Sequence, residues 1–355
     1  MGKIKKAKIL MVSNYAHFTG SEWYRNTIPA KYLNMIGYQV DILSPRHRPL
    51  KTFDYDIVVF NRNYSDIFPE IIEMARSFGS KLIFDIDDLV MEQPKDKPSY
   101  EDLTKESKNS VWLMNQVDIV TCTNKSLKSA LGAYTIAPII VVPNAIDLHK
   151  FKERAGGNER LRIGFAGSAH HPQDLNMILP VIHKLQKEYD FEFVLLGINS
   201  PAVLAQFDWT KEGQKECDTL IKNLEKVKNL ELHDPVDATE YPKKLRSLNL
   251  DIGLCPLLDT KFNNCKSEIK LLEYTAVGTC ALTSKVEPYK DCAVYSAENY
   301  PIIWYNKLIN LIDSPRLRET IIKKQMDWVV SQRSAKNVMI IYEFIYKKLI
   351  SQGGK

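Results

Sequence analysis

Residues 250–284 read LDIGLCPLLDTKFNNCKSEIKLLEYTAVGTCALTS, and this stretch decides the fold. An apolar run, 251–255, stops at Pro256; an amphipathic stretch, 266–277, follows; Gly278 then leads into a second apolar run, 279–283. Strand, helix and strand with no polar alternation in the strands is the pattern of a parallel sheet covered on both faces. Lys266, Lys270 and Glu273 recur at i, i+4 and i+7, one face of the expected helix. A lysine in a first helical turn opposes the macrodipole, so Lys266 is badly placed for stability unless an anion sits at that terminus. Lys270 would add charge to the same anion, and Glu273 would accept hydrogen bonds from a sugar diol. The competing reading is a solvated face with an ordinary Lys270–Glu273 pair.

The same rhythm extends in both directions. Strand-like runs recur at 8–13, 39–43, 56–60, 81–85, 118–123 and 139–142, then at 162–166, 192–196 and 229–232. Amphipathic stretches such as 22–35, 66–78, 173–188, 215–228 and 238–248 separate them. The polar segment 152–160 (KERAGGNER) interrupts the alternation and reads as a linker. The expected organisation is therefore α/β: two doubly wound, Rossmann-like domains, 1–151 and 161–330, facing a cleft, with a final helix over 331–355. Met339, Ile340, Phe344 and Ile345 give that helix an apolar face, expected to pack back across the protein. Ligands of such sheets bind beyond the carboxyl ends of the strands, at helix N-termini. A second anion-type turn, Gly167-Ser168-Ala169-His170-His171-Pro172, follows the run 162–166, offering backbone N–H groups with Ser168 and His171 as further donors.

Composition bounds the rest. The 355 residues are 45% hydrophobic and 26% charged, which excludes a disordered chain and supports two cores. The net charge of +5 suits an anionic substrate and is too small to argue for nucleic acid. The six cysteines form no CxxC pair and read as small hydrophobes in a reducing compartment. The longest apolar run, 134–146, is broken by Pro138 and Pro143, so no membrane span is expected. A cytoplasmic protein fits, of a bacterial or phage-infected cell, with at most a peripheral membrane contact.

In its motifs the chain resembles the family-4-like retaining glycosyltransferases of the GT-B fold. The opening strand with Thr19-Gly20-Ser21-Glu22 resembles their first strand and glycine loop. Residues 142–147 (VPNAID), with Phe151, resemble the element closing their first domain. Residues 250–256 and 273–278 (EYTAVG) resemble their late strand and "EAMAxG" helix. The resemblance implies transfer of a sugar from a nucleoside-diphosphate sugar, UDP favoured over GDP, with the anomeric configuration retained and no metal or other cofactor required. Glu273 then corresponds to the glutamate that holds the ribose hydroxyls, and Gly20, with Ser21, to the loop beside the diphosphate. Two departures stand out. The family's first motif glutamate falls on Cys265, and its arginine–lysine pair after the first strand of the second domain is replaced by the turn 167–172. Lys266 and Lys270 are the substitutes. Asp85-Ile86-Asp87-Asp88 together with FNxxKSxxKxxEY resembles a subgroup met in surface-polysaccharide and bacteriophage settings.

The DIDD run ends the strand-like stretch 81–85, at the cleft. Asp87 falls where most relatives carry a histidine near the acceptor, so Asp87 or Asp88 would orient an acceptor hydroxyl or serve as its base. The alternatives are a DxD metal motif on Asp85 and Asp87, or simple capping at a strand end. Arg62 and Asn63, after the run 56–60, and Arg25, beside Tyr24, are expected on the same acceptor side with Asp85. The acceptor is a surface glycan or a lipid-linked saccharide; the alternative is a hydroxymethylated base in phage DNA, for which Lys3, Lys5, Lys6, Arg46, Arg48 and Lys51 would meet phosphates. A nucleotide-sugar-binding protein without catalysis is the competing class. An NAD-dependent oxidoreductase ranks below both, because the first loop lacks GxGxxG.

Overall fold

The computed structural model describes residues 6–13, 19–43, 53–62, 66–98, 100–198 and 201–351. Among them, two six-stranded sheets form, and every pairing in both is parallel. The first holds β1 (Lys8–Val12), β2 (Gln39–Leu43), β3 (Ile57–Asn61), β4 (Lys81–Ile86), β5 (Ile119–Cys122) and β6 (Ile139–Val141), in the order β2-β1-β3-β4-β5-β6. The second holds β7 (Leu161–Ala166), β8 (Phe191–Leu196), β9 (Leu230–His233), β10 (Ile252–Cys255), β11 (Cys280–Ser284) and β12 (Tyr295–Ala297), in the order β12-β11-β10-β7-β8-β9. Strands β3, β5, β10 and β11 are buried along their whole length, as helices on both faces require. Except for the short β12, each strand falls on a run marked in the sequence, within a residue or so at either end.

The strand order decides where a ligand can sit. In the first sheet the chain reverses its direction of growth between β1 and β3; in the second, between β7 and β10. The flanking connections diverge there and leave a crevice at the carboxyl ends of the strands.

Two expectations need correction. The helix expected over 266–277 is Ile269–Ala276, with Glu268 at its N-cap. Lys266 precedes it, because its N–H closes the turn after the short helix Lys261–Asn264 by donating to Asn263 O at 3.0 Å. The final helix, Ala335–Ser351, does return to the first domain, but its apolar residues divide. Met339 and Ile345 join Ala335, Val338, Tyr342, Tyr346 and Leu349 in the first-domain core, whereas Ile340 and Phe344 are 64% and 65% exposed. An exchange of backbone hydrogen bonds starts the return: Ile146 N–H donates to Arg333 O, and Ala335 N–H to Ile146 O, each at 2.9 Å. Among the described residues no helix is long and apolar enough to cross a membrane. The six cysteines form no disulfide, and all except Cys292 are buried.

Candidate functional site

The carboxyl end of β7 forms the floor of the cleft. Here Lys270, the second residue of the helix Ile269–Ala276, reaches across to the strand. Its ammonium donates to Ala166 O at 3.2 Å and lies 4.8 Å from the Phe165 ring centre. A Cβ on Gly167 would stand 2.4 Å from Lys270 Nζ, so a side chain there would push the cation from its place. Behind it Gly197, at φ +90°, packs against Gly167 O, where a Cβ would come within 2.3 Å. Burial depresses the Lys270 pKa, and Glu273, one turn further on, opposes that shift.

His171 stands at the N-cap position of the helix Pro172–Leu185, and its Nδ1 lies 2.7 Å from Asp174 Oδ2. Burial, and then the charge of Lys270, lower the His171 pKa to about 3. The ring is therefore neutral at ordinary pH. Asp174 is ionised and accepts from Leu258 N–H with its other oxygen, so Nδ1 carries the ring proton and Nε2 is left an acceptor. In this tautomer the neutral His171 ring has no free N–H to donate to an anion, contrary to the expected donor role. Ser168 is exposed, 3.2 Å from His170 Nδ1.

Glu273 is 7% exposed, and both its oxygens are engaged: Tyr24 OH donates to Oε1 at 2.7 Å and Tyr241 OH to Oε2 at 3.0 Å. Burial raises its pKa, while Lys270 and the two hydroxyls oppose the rise. Tyr24 comes from the first domain, carried by a π-helical turn, Trp23–Thr27, between the helical segments Gly20–Glu22 and Ile28–Met35. Such turns mark functional positions because the extra residue re-aims a side chain. A ribose diol reaching Glu273 would meet a carboxylate that already accepts one tyrosine hydroxyl on each oxygen.

The acidic run meets the second domain from the opposite side. Asp87 Oδ2 accepts from Ser21 Oγ at 2.7 Å, and Oδ1 lies 3.2 Å from Arg62. Asp88 pairs with Arg62 at 2.8 Å and with Lys266 at 3.7 Å. Although burial opposes ionisation, Lys266 and Arg62 hold the Asp88 carboxyl far below the usual range, which makes it a poor base. Its place is that of a counter-ion. His170, beside the same cluster, is lowered to about 4 by burial and by the charges of Lys266 and Lys97. Gly20 opens the segment bearing Ser21, with clear space where a Cβ would be.

Arg25 and Asp85 do not line the acceptor side. They form a two-pronged pair, at 2.8 and 2.6 Å, each 2% exposed. Arg25 also donates to Val142 O and Asn144 Oδ1, and Thr121 donates to Asp85. The pair is committed to itself behind the cleft wall, so the DxD spacing does not bring the Asp85 and Asp87 carboxylates to one point. Asn63 lies outside the described residues, as do Lys3, Lys5, Arg46, Arg48 and Lys51. Lys6 is paired with Glu343 at 3.0 Å.

The structure thus gathers Ser21, Arg62, Asp87, Asp88, Gly167, His171, Lys266, Lys270 and Glu273 around one cleft. Sequence reading missed Tyr241, Asn124, Asn144 and Lys97. Lys97 is buried and donates to His170 O at 2.7 Å across the domains. Asn124 had a signal as a helix-capping residue before a run of helix formers, and Asn144 lies in the motif 142–147; Tyr241 and Lys97 had none. Cys265, where the family motif has a glutamate, is 2% exposed and sits with Phe262 in the first-domain core.

No family model matches the sequence, and no curated protein does. Solved structures do. A glycosyltransferase from Rickettsia africae ESF-5 superposes with a TM-score of 0.69 at 12% identity, over 97% of this chain and 99% of that one. A trehalose-6-phosphate protein from E. coli, bound with UDP-2-fluoro glucose, gives 0.65 at 11% identity over 96% and 99%. An alpha-glucosyltransferase in complex with UDP and a 13-mer DNA containing an HMU base gives 0.64 at 12% over 98% and 100%. With two parallel doubly wound sheets matched end to end by glycosyltransferases of this architecture, the chain has the GT-B fold.

Proposed function

We propose that the protein transfers a sugar from a UDP-sugar to an acceptor hydroxyl, with retention of anomeric configuration. The observation that carries the proposal is the pair of cations, Lys266 and Lys270, set with Glu273 at the switch-point crevice of the second sheet. Lys270 and Lys266 would take the diphosphate oxygens, where charge grows as the bond to the sugar breaks, and Glu273 would take the ribose diol. Full-length likeness to structures containing UDP supports this assignment of the second domain. His171 Nε2, as an acceptor, suits a sugar hydroxyl better than a phosphate.

Asp87 is assigned to the acceptor. It shares the cleft with the cations but not their face, and its hydrogen bond from Ser21 orients it. Asp88 is assigned to Lys266 as counter-ion. The acceptor class is a surface glycan or lipid-linked saccharide. No divalent ion is required in this scheme, because the two lysines supply the countercharge.

The test is UDP binding and transfer, with and without EDTA, for wild type and Asp87→Asn, screening glycan, lipid-linked and hydroxymethylated-DNA acceptors by mass spectrometry. UDP binding should survive the chelator, and Asp87→Asn should lose transfer while keeping UDP affinity. Binding abolished by EDTA and restored by manganese would overturn the scheme.

A further inference from the structure

The segment that carries Lys266 belongs to the second domain by sequence but is held by the first. Phe262 and Cys265 are buried among first-domain residues. Asn124, at the carboxyl side of β5, donates with its amide nitrogen to Cys265 O and Lys266 O, each at 2.9 Å. Asn144 Nδ2 donates to Ser267 Oγ at 2.9 Å, and Arg25 fixes the other end of that amide. Asn124 has a local task as well: Oδ1 caps the helix Lys125–Leu131 by accepting from Leu127 N–H at 2.8 Å.

From this geometry we infer that Asn124 is a positioning residue for Lys266: the first domain sets, through one amide, where the second domain's phosphate lysine stands. The inference rests on the donor-site reading above. Cys265 O and Lys266 O belong to the two successive peptide units that flank Lys266, so two bonds to one nitrogen fix the backbone on both sides of its Cα. The side chain then runs over the Phe262 ring, 4.8 Å away, to Asp88 at 3.7 Å. The apolar anchors, Phe262 and Cys265, hold the segment in place but do not orient the next residue. A serine or an aspartate at 124 can still cap the helix, since both rank with asparagine as N-caps, but neither offers an N–H. The cap and the cross-cleft bonds can therefore be separated by substitution.

The experiment measures UDP and uridine affinity by calorimetry for wild type, Asn124→Ser, Asn124→Asp, Lys266→Ala and Asn124→Ser/Lys266→Ala, with circular dichroism to confirm folding. Uridine lacks phosphates, so it reports on the site without Lys266. Asn124→Ser should weaken UDP roughly five- to twentyfold and leave uridine unchanged. Asn124→Asp should weaken UDP at least as much, since its carboxylate faces two carbonyl oxygens. In the Lys266→Ala background the serine should cost nothing more, because the two residues act through one contact. Unchanged UDP affinity in Asn124→Ser beside a clear loss in Lys266→Ala overturns the inference alone. Equal losses for UDP and uridine also overturn it, by showing a general loosening. Lys266→Ala binding UDP as tightly as wild type would overturn the donor-site reading itself, and the inference with it.

Discussion

Replacing Tyr24 with phenylalanine should make the protein bind UDP more tightly. The tyrosine is buried, its hydroxyl gives Glu273 Oε1 a 2.7 Å hydrogen bond, and burial raises its pKa well above the ordinary value, so it remains a donor throughout the working pH range. A hydrogen bond to a charged acceptor is worth about 1.5–3 kcal/mol. If a ribose diol takes the lone pair that Tyr24 uses, it displaces that bond, and the displacement is subtracted from its affinity. Tyr241 keeps the other oxygen occupied at 3.0 Å, so only half of the carboxylate is released. The gain should therefore fall near the lower bound, about tenfold, since about 1.4 kcal/mol is one decade. Phenylalanine preserves the ring, and with it the packing of the π-helical turn against the first-domain core. Calorimetry with UDP on wild type, Tyr24→Phe and Glu273→Gln reads the effect. The glutamine variant should bind more weakly than wild type. Tyr24→Phe binding UDP no better than wild type would refute the idea that tyrosine and ribose compete for one carboxylate.

Other expectations follow from the same geometry. Lys270→Ala should lower transfer by ~10²–10³ with the fold retained, and near-normal turnover would remove it from the diphosphate site. Arg25→Ala should cost about 3–5 kcal/mol in urea unfolding, because it removes the countercharge of the buried Asp85 and leaves it only the Thr121 hydrogen bond; a loss below about 1 kcal/mol would place the pair in contact with solvent. His171 stays neutral in the fold down to about 3, whereas the unfolded chain takes up that proton near 6.5. The unfolded state therefore binds more protons in that window, and stability should fall as pH drops from about 6.5 towards 3. His171→Gln should make that slope shallower in denaturant titrations at stepped pH, and an unchanged slope would exclude the histidine as its source.

Much of the fold was legible because a buried parallel strand leaves a plain signature. Runs such as Ile57–Asn61 and Cys280–Ser284 have no polar face to disguise them. Helix ends were less legible. The helix expected from 215 starts at Lys211, because Thr210 Oγ caps it by accepting from Gly213 N–H at 3.1 Å, and one threonine in a polar stretch gives little warning. At the site, the sequence shows which residues can carry charge but not which of them spend it on each other. Arg25 and Asp85 lie 60 positions apart and cancel in the core. Tyr24 and Glu273 lie 249 apart and meet across the cleft. Periodicity looks a few residues ahead, so pairings of this range are invisible to it. The conformation of Lys266 shows the same limit. Its i, i+4 relation to Lys270 assumed one continuous helix, and the turn closed by Asn263 breaks it.

The returning helix Ala335–Ser351 has a consequence for the order in which the molecule is made. Its buried face, from Ala335 to Leu349, supplies seven side chains to the core beneath β1 and the helix Ile28–Met35, yet the ribosome delivers them after every strand of the second sheet. The domain that is synthesised first is thus the last to be finished. While translation proceeds, the apolar surface destined for Val338, Met339, Tyr342 and Ile345 stays wet, and the second sheet can mature before its elder neighbour. A fragment ending after β6 would keep that surface exposed.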